Sequence, residues 1–89
     1  VVYITAIHME GGDRHEHIAR VRWTNPVNGQ AGENSRAEMV DWIGNQSGDA
    51  YVTDGLRQIR VRVVNASPPY IQTYADGIWT NNLLALPTF

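Results

Sequence analysis

Tyr70-Ile71-Gln72-Thr73-Tyr74-Ala75-Asp76-Gly77-Ile78-Trp79-Thr80 sets an Asp-Gly pair between two runs of β-branched and aromatic residues. Glycine takes positive φ without steric cost, so an Asp-Gly pair in this setting specifies a two-residue hairpin turn. The run that follows, Asn81-Asn82-Leu83-Leu84-Ala85-Leu86-Pro87, is expected to seal the chain's own core. Thr80, Asn81 or Asn82 would cap a short helical turn there and Pro87 would end it. Docking of this tail on another chain is the alternative. The hairpin decides for a sheet-based fold and carries no chemistry.

Upstream, Ser67-Pro68-Pro69 forces an extended break, because proline restricts its predecessor. Before it, Ala50 to Thr53, an Asp54-Gly55 turn and Leu56 to Ala66 read as another hairpin, with Ile59, Val61 and Val63 opposed to Arg60 and Arg62. One helix is predicted over about residues 36–46, starting where Ser35 and Glu38 form a reciprocal capping box. Ala37, Met39, Val40 and Ile43 form its apolar stripe, Trp42 lies at the edge, and Gly48 is the expected stop.

The first segment, Val2 to Met9, is apolar on both faces, with Val2, Ile4 and Ala6 opposed to Tyr3, Ile7 and Met9, which marks a central strand. After the loop Glu10 to Glu16, a strand from His17 to Thr24 alternates Ala19, Val21 and Trp23 with Arg20 and Arg22. Asn25-Pro26-Val27-Asn28-Gly29 is a turn into a short third strand around Gln30 to Glu33. The expected fold is α+β: a small antiparallel sheet of about six or seven strands with one helix on a face, in the order βββαββββ, as a single domain over residues 1–89.

With no cysteine among 89 residues, neither disulfides nor thiolate metal ligands enter. No apolar run approaches the roughly 20 residues of a membrane span, and the start Val1-Val2-Tyr3-Ile4 lacks a basic leader, so a cytoplasmic protein without membrane partners is expected. A net charge of −2 argues against nucleic-acid binding by overall field. All seven cations are arginine, which favours planar pairings, although genomic base composition produces the same bias.

Gly11-Gly12, His15-Glu16-His17-Ile18, Trp23, Met39-Val40-Asp41-Trp42-Ile43 and Pro69-Tyr70-Ile71-Gln72-Thr73 through Asn82-Leu83-Leu84-Ala85-Leu86-Pro87 together resemble a bacterial family of short stand-alone proteins, the domain of unknown function DUF3892. The resemblance covers nearly the whole chain, and it implies no established activity, cofactor or catalytic residue. Family tails often read Asp-Asn-Leu-Leu where this chain has Asn81-Asn82, and carry arginine where it has Gln72, so a charge-dependent role at those positions does not carry over.

Three constellations are candidates for function. His8, His15 and His17, with Glu10, Asp13 or Glu16 nearby, offer nitrogen and carboxylate donors for a divalent ion or a small metal-dependent hydrolase, yet match no standard zinc spacing. Histidine in a glycine-rich loop also serves simply to tie the loop down. Arg20, Arg22, Arg60 and Arg62 occupy the polar phase of two strands and, if those share a sheet, make an arginine face for nucleic acid or another polyanion, or else an ordinary solvated face. RNA-binding sheets add exposed aromatics to such a face; Trp23 and Tyr51 read as core here and Trp79 is unassigned. Trp42, Trp79, Tyr70 and Tyr74 would make a protein-binding patch wherever they cluster in the open.

Catalytic motifs are missing: there is no nucleophile elbow, phosphate-cradling loop or nucleophile with a base. The leading expectation is therefore a non-catalytic binding module without cofactor, engaging a protein partner through the Gly11 to His17 loop with Asp13, His15, His17 and Trp42, as a monomer or, by edge-strand pairing, a homodimer.

Overall fold

The closing hairpin forms as its residues dictate. Asp76 and Gly77 both take left-handed backbone, at φ 53° and 80°, the combination whose twist matches the flanking strands. In the computed structural model, which describes residues 1–53 and 55–89, this turn joins β6 (Tyr70–Ala75) to β7 (Ile78–Thr80). Before them come β1 (Val2–Met9), a 3₁₀ turn (His15–His17), β2 (Ile18–Thr24), β3 (Ala31–Ser35), α1 (Arg36–Gly44), β4 (Ala50–Thr53) and β5 (Gln58–Val64). The Asp54-Gly55 turn expected between β4 and β5 lies partly outside the described residues, which omit Asp54.

The strands form one seven-stranded sheet in the order β3-β2-β1-β4-β5-β6-β7, with β1 inside it as its apolar faces predict. The α+β class and the βββαββββ order hold, but the sheet is mixed rather than antiparallel. Two antiparallel meanders meet where β4 runs parallel to β1, Val2 beside Ala50 and Tyr3 beside Tyr51. The helix is the cause: it carries the chain from edge strand β3 back across the sheet, so β4 enters beside β1 in the same direction.

Bulges decide which side chains are inside. Ile4 pairs with Trp23 and Ala6 with Arg22, leaving Thr5 as an extra residue that shifts the alternation of β1 by one. Val2, Ile4 and Ile7 thereby all enter the core, where the simple alternation had opposed Ile7 to the other two. Ala19 is the extra residue of β2, since His8 pairs with Arg20 and Met9 with Ile18; Ile18 accordingly joins Val21 in the core. Strand β2 starts at Ile18, one residue later than predicted, because His15–His17 coil into the 3₁₀ turn.

Ser35 caps α1 as the sequence predicts: its hydroxyl accepts the Glu38 N–H at 3.2 Å, and its own N–H donates to Glu38 Oε1 at 2.8 Å. The helix is shorter than expected and ends at Gly44. The N–H groups of Asn45 and Gln46 both reach the Asp41 carbonyl, Ser47 takes the left-handed conformation at φ 55°, and the Gly48 N–H returns to the Trp42 carbonyl at 2.8 Å. Gly48 therefore serves packing rather than the turn: a Cβ there would lie 2.2 Å from the Trp42 ring. Met39 is the buried residue of α1, with Val40, Trp42 and Ile43 partly buried against the core; Ala37, in the first turn directly after edge strand β3, is exposed.

Leu83 is fully buried, and the N–H groups of Leu84, Ala85 and Leu86 return to the carbonyls of Asn81, Asn82 and Leu83. Beyond this turn the chain lies alongside β1, with Ile7 N–H to Pro87 carbonyl at 2.9 Å and Phe89 N–H to Ile7 carbonyl at 3.0 Å. No helix among the described residues is long and apolar enough to cross a membrane.

Candidate functional site

Strand alternation buries Ile59, Val61, Ile71 and Thr73 and turns Arg60, Arg62, Gln72 and Tyr74 to the opposite, outer face. Cross-strand pairing then sets Tyr3 beside Tyr51, Tyr51 beside Arg60, Arg60 beside Tyr74 and Tyr74 beside Trp79, a continuous row over five strands. The Tyr74 and Trp79 rings meet edge to face at 4.9 Å, and those of Tyr3 and Tyr51 lie 6.4 Å apart. Arg62 sits 5.1 Å over the Tyr74 ring and Arg60 5.8 Å over that of Tyr51. Arg60 also donates to Tyr51 Oη and to Asp49 Oδ1, at 3.2 and 2.8 Å, whereas Arg62 forms no ion pair among the described residues. Arg60, Arg62 and Trp79 border a depression of about 340 Å³ that reaches Ile43 and Gly44 at the end of α1.

A second cluster on this face joins β1, β2, β3 and the tail. Glu33 accepts from Arg20 at 2.7 Å and from Arg22 at 3.4 Å, and the Arg20 hydrogen bond is the main reason its carboxyl is held below the usual range. Arg22 lies 4.0 Å over the Phe89 ring, whose carbonyl is bonded by His8 Nδ1. All four predicted arginines thus share one face. Tyr51, read as core from the sequence, belongs to it as well, because β4 pairs it with Tyr3 and Arg60. Tyr3 stands opposite Val2 and Ile4 as simple alternation predicts, but its place in the row depends on the pairing of β4 with β1, and the place of Phe89 depends on a long-range tail contact.

The loop histidines part company. His15 is buried, only 9% exposed, with Nε2 lacking a hydrogen-bond partner among the described residues, and burial pulls its pKa below the ordinary 6.5. The His17 ring covers Gly12, where a Cβ would lie 2.5 Å from it, and Nδ1 accepts the Arg14 N–H at 3.2 Å. Asp13 is exposed at the tip. His8 is on the outer face, so the three histidines do not converge, and among the described residues no three His, Asp or Glu side chains are grouped to hold a metal ion. The 3₁₀ turn is responsible, since at three residues per turn positions i and i+2 point apart.

Trp42 lines a cleft of about 410 Å³ on the inner side, where Trp23, Met39 and Val2 also meet. Among known families, the model for the family described as "Protein of unknown function (DUF3892)" matches residues 3–87. No curated protein and no solved structure matches the chain.

Proposed function

We propose that this chain, which belongs to the DUF3892 family, is a non-catalytic binding module that takes single-stranded nucleic acid on the outer face of its sheet. The observation that carries this reading is the row Tyr3, Tyr51, Arg60, Tyr74 and Trp79, which sets aromatic rings and guanidinium groups side by side across five strands, with Trp79 exposed at its end. Every base has a π-face, and stacking on a protein ring contributes about 1–3 kcal/mol per base. Arg62, which lies over the Tyr74 ring and forms no ion pair among the described residues, would meet a phosphate. The overall −2 charge is compatible with this, because four arginines gather here against Glu33 and Asp49, which pair with Arg20, Arg22 and Arg60, while Glu38 and Asp41 lie on the helix. A cytoplasmic setting, where single-stranded RNA is plentiful, goes with this reading.

Fluorescence anisotropy of a labelled single-stranded oligonucleotide tests it. Affinity is expected to fall with salt at a slope of about −0.7 per neutralised phosphate, and Arg62→Ala to lower that slope by about one contact. A salt-independent affinity, or a Trp79→Ala variant that binds as tightly as the parent, refutes the reading.

A second reading places a protein partner at the loop that holds Asp13, His15 and His17. Its support is the exposed Gly11 to Arg14 tip, held from beneath by the His17 ring and the Glu10 N–H to His17 carbonyl bond at 2.9 Å. Partner capture that survives nuclease and is lost with Asp13→Ala would favour it over the nucleic-acid reading.

A further inference from the structure

The inner cleft combines two indoles with two carboxylates. Trp23 and Trp42 line it above an apolar floor of Val2 and Met39, and Glu38 and Asp41, one helical turn apart on α1, stand at its rim. No arginine, lysine or histidine is among its lining residues.

Both indoles are built into place. Trp23 Nε1 donates to Asn34 Oδ1 at 2.6 Å, and a Cβ at Gly32 would come within 2.5 Å of its ring. Trp42 packs on Gly48 in the same manner, with room for a hydrogen but not a methyl group. Two glycines and one amide thus help to orient two rings that also pack, partly buried, against the edge of the core.

The carboxylates are equally fixed. Asp41 accepts from Asn45 Nδ2 on one oxygen at 2.8 Å and from Gln46 Nε2 on the other at 2.7 Å, and Glu38 Oε1 accepts the Ser35 N–H. These hydrogen bonds hold both below the usual carboxylate range, and neither forms an ion pair among the described residues; Arg20, which acts weakly on Glu38, is turned to Glu33. Among the described residues no third carboxylate or histidine joins them, so the pair does not make the multidentate oxygen cage that a small hard metal ion demands. They still project negative charge, and that charge suits a cation that is large, weakly hydrated and able to lie on a ring face.

We propose that this cleft binds a small organic cation, an alkylated or quaternary ammonium, against Trp23 and Trp42 in the field of Glu38 and Asp41. The site is separate from the outer face, and it stands whether or not nucleic acid binds there. Aromatic walls supply the cation–π attraction, the carboxylates supply long-range charge, and Met39 and Val2 receive the alkyl groups.

Choline tests the site directly, read by NMR at the indole N–H signals of the three tryptophans. Saturable shifts of Trp23 and Trp42, with Trp79 unmoved, are expected. The uncharged tert-butyl analogue of choline, carbon in place of nitrogen, should bind about tenfold more weakly or worse. Asp41→Asn removes the charge and gives up one of the two amide hydrogen bonds at an exposed position, and should weaken choline several-fold while lowering the melting temperature only slightly. Equal affinity for choline and its uncharged analogue, a response confined to Trp79, or a flat titration would each overturn the proposal.

Discussion

The outer face of the sheet and the inner cleft both pair aromatic rings with charge, and they do so with opposite signs. Outside, guanidinium groups lie over tyrosine and phenylalanine rings; inside, indoles and carboxylates line one cleft. The segregation follows from the needs of local structure. Strands β5 and β2 alternate, so arginine goes out wherever valine goes in. Helix α1 places Glu38 in its first turn because a carboxylate there closes the capping box and complements the helix dipole. A chain of net charge −2 thereby carries a cationic face and an anionic one, and overall charge is a poor guide to either.

The strongest way to break this comparison is to remove what both regions share. Leu83→Ala deletes a fully buried side chain of the common core and is expected to cost about 2–5 kcal/mol in chemical denaturation, with the oligonucleotide and choline responses lost together. An unchanged unfolding transition would mean that the tail does not seal the core. Gly48→Ala should come next, at about 1–3 kcal/mol, because Trp42 must move to admit the methyl group. Its folded fraction should lose the choline response and keep oligonucleotide binding, which sharpens the contrast.

Trp79→Ala is the converse. A 43% exposed ring with no part in the cleft should cost at most about 0.5 kcal/mol of stability while oligonucleotide affinity drops about tenfold, as loss of one stacking platform implies. If choline binding falls as well, the two regions are not independent.

The smallest effect is a pH response belonging to neither region. The His15 pKa is lowered in the fold, so as pH falls through 6.5 the unfolded chain takes up its proton first. Stability present above that value is lost progressively until the folded pKa is passed, and His15→Gln should flatten the part of the urea-midpoint profile that lies in this window. Glu38 and Asp41 keep their charge there, since hydrogen bonds hold them below the usual carboxylate range. Choline affinity corrected for the folded fraction should accordingly stay constant across the same pH interval.

Features specified over a few neighbouring residues were legible in advance. The Asp76-Gly77 turn and the Ser35–Glu38 capping box each depend on the backbone within three residues, and both are present as read. The histidines could converge only on a strand that began before His17, and His15–His17 form a 3₁₀ turn instead, which points His15 and His17 apart. On the outer face the arginines were legible because alternation is clean from Arg20 to Thr24, beyond the bulge at Ala19, and from Ile59 to Val63 in β5. Four residues of β4 were too few to assign Tyr51, since Ala50-Tyr51-Val52-Thr53 reads as apolar on both phases.

Residue types and their spacing were enough for the α+β class, the helix start, the closing hairpin, the phase of the arginines and the family resemblance that the match over residues 3–87 bears out. Only the tertiary structure decided that β4 runs parallel to β1, that Thr5 bulges and swings Ile7 into the core, and that Tyr3, Tyr51, Tyr74 and Trp79 line up across strands distant in the chain. Hairpin turns and caps are settled by the φ preferences and hydrogen bonds of adjacent residues. Strand order, register and face are settled by which buried surfaces fit one another, and no short stretch of sequence contains that information.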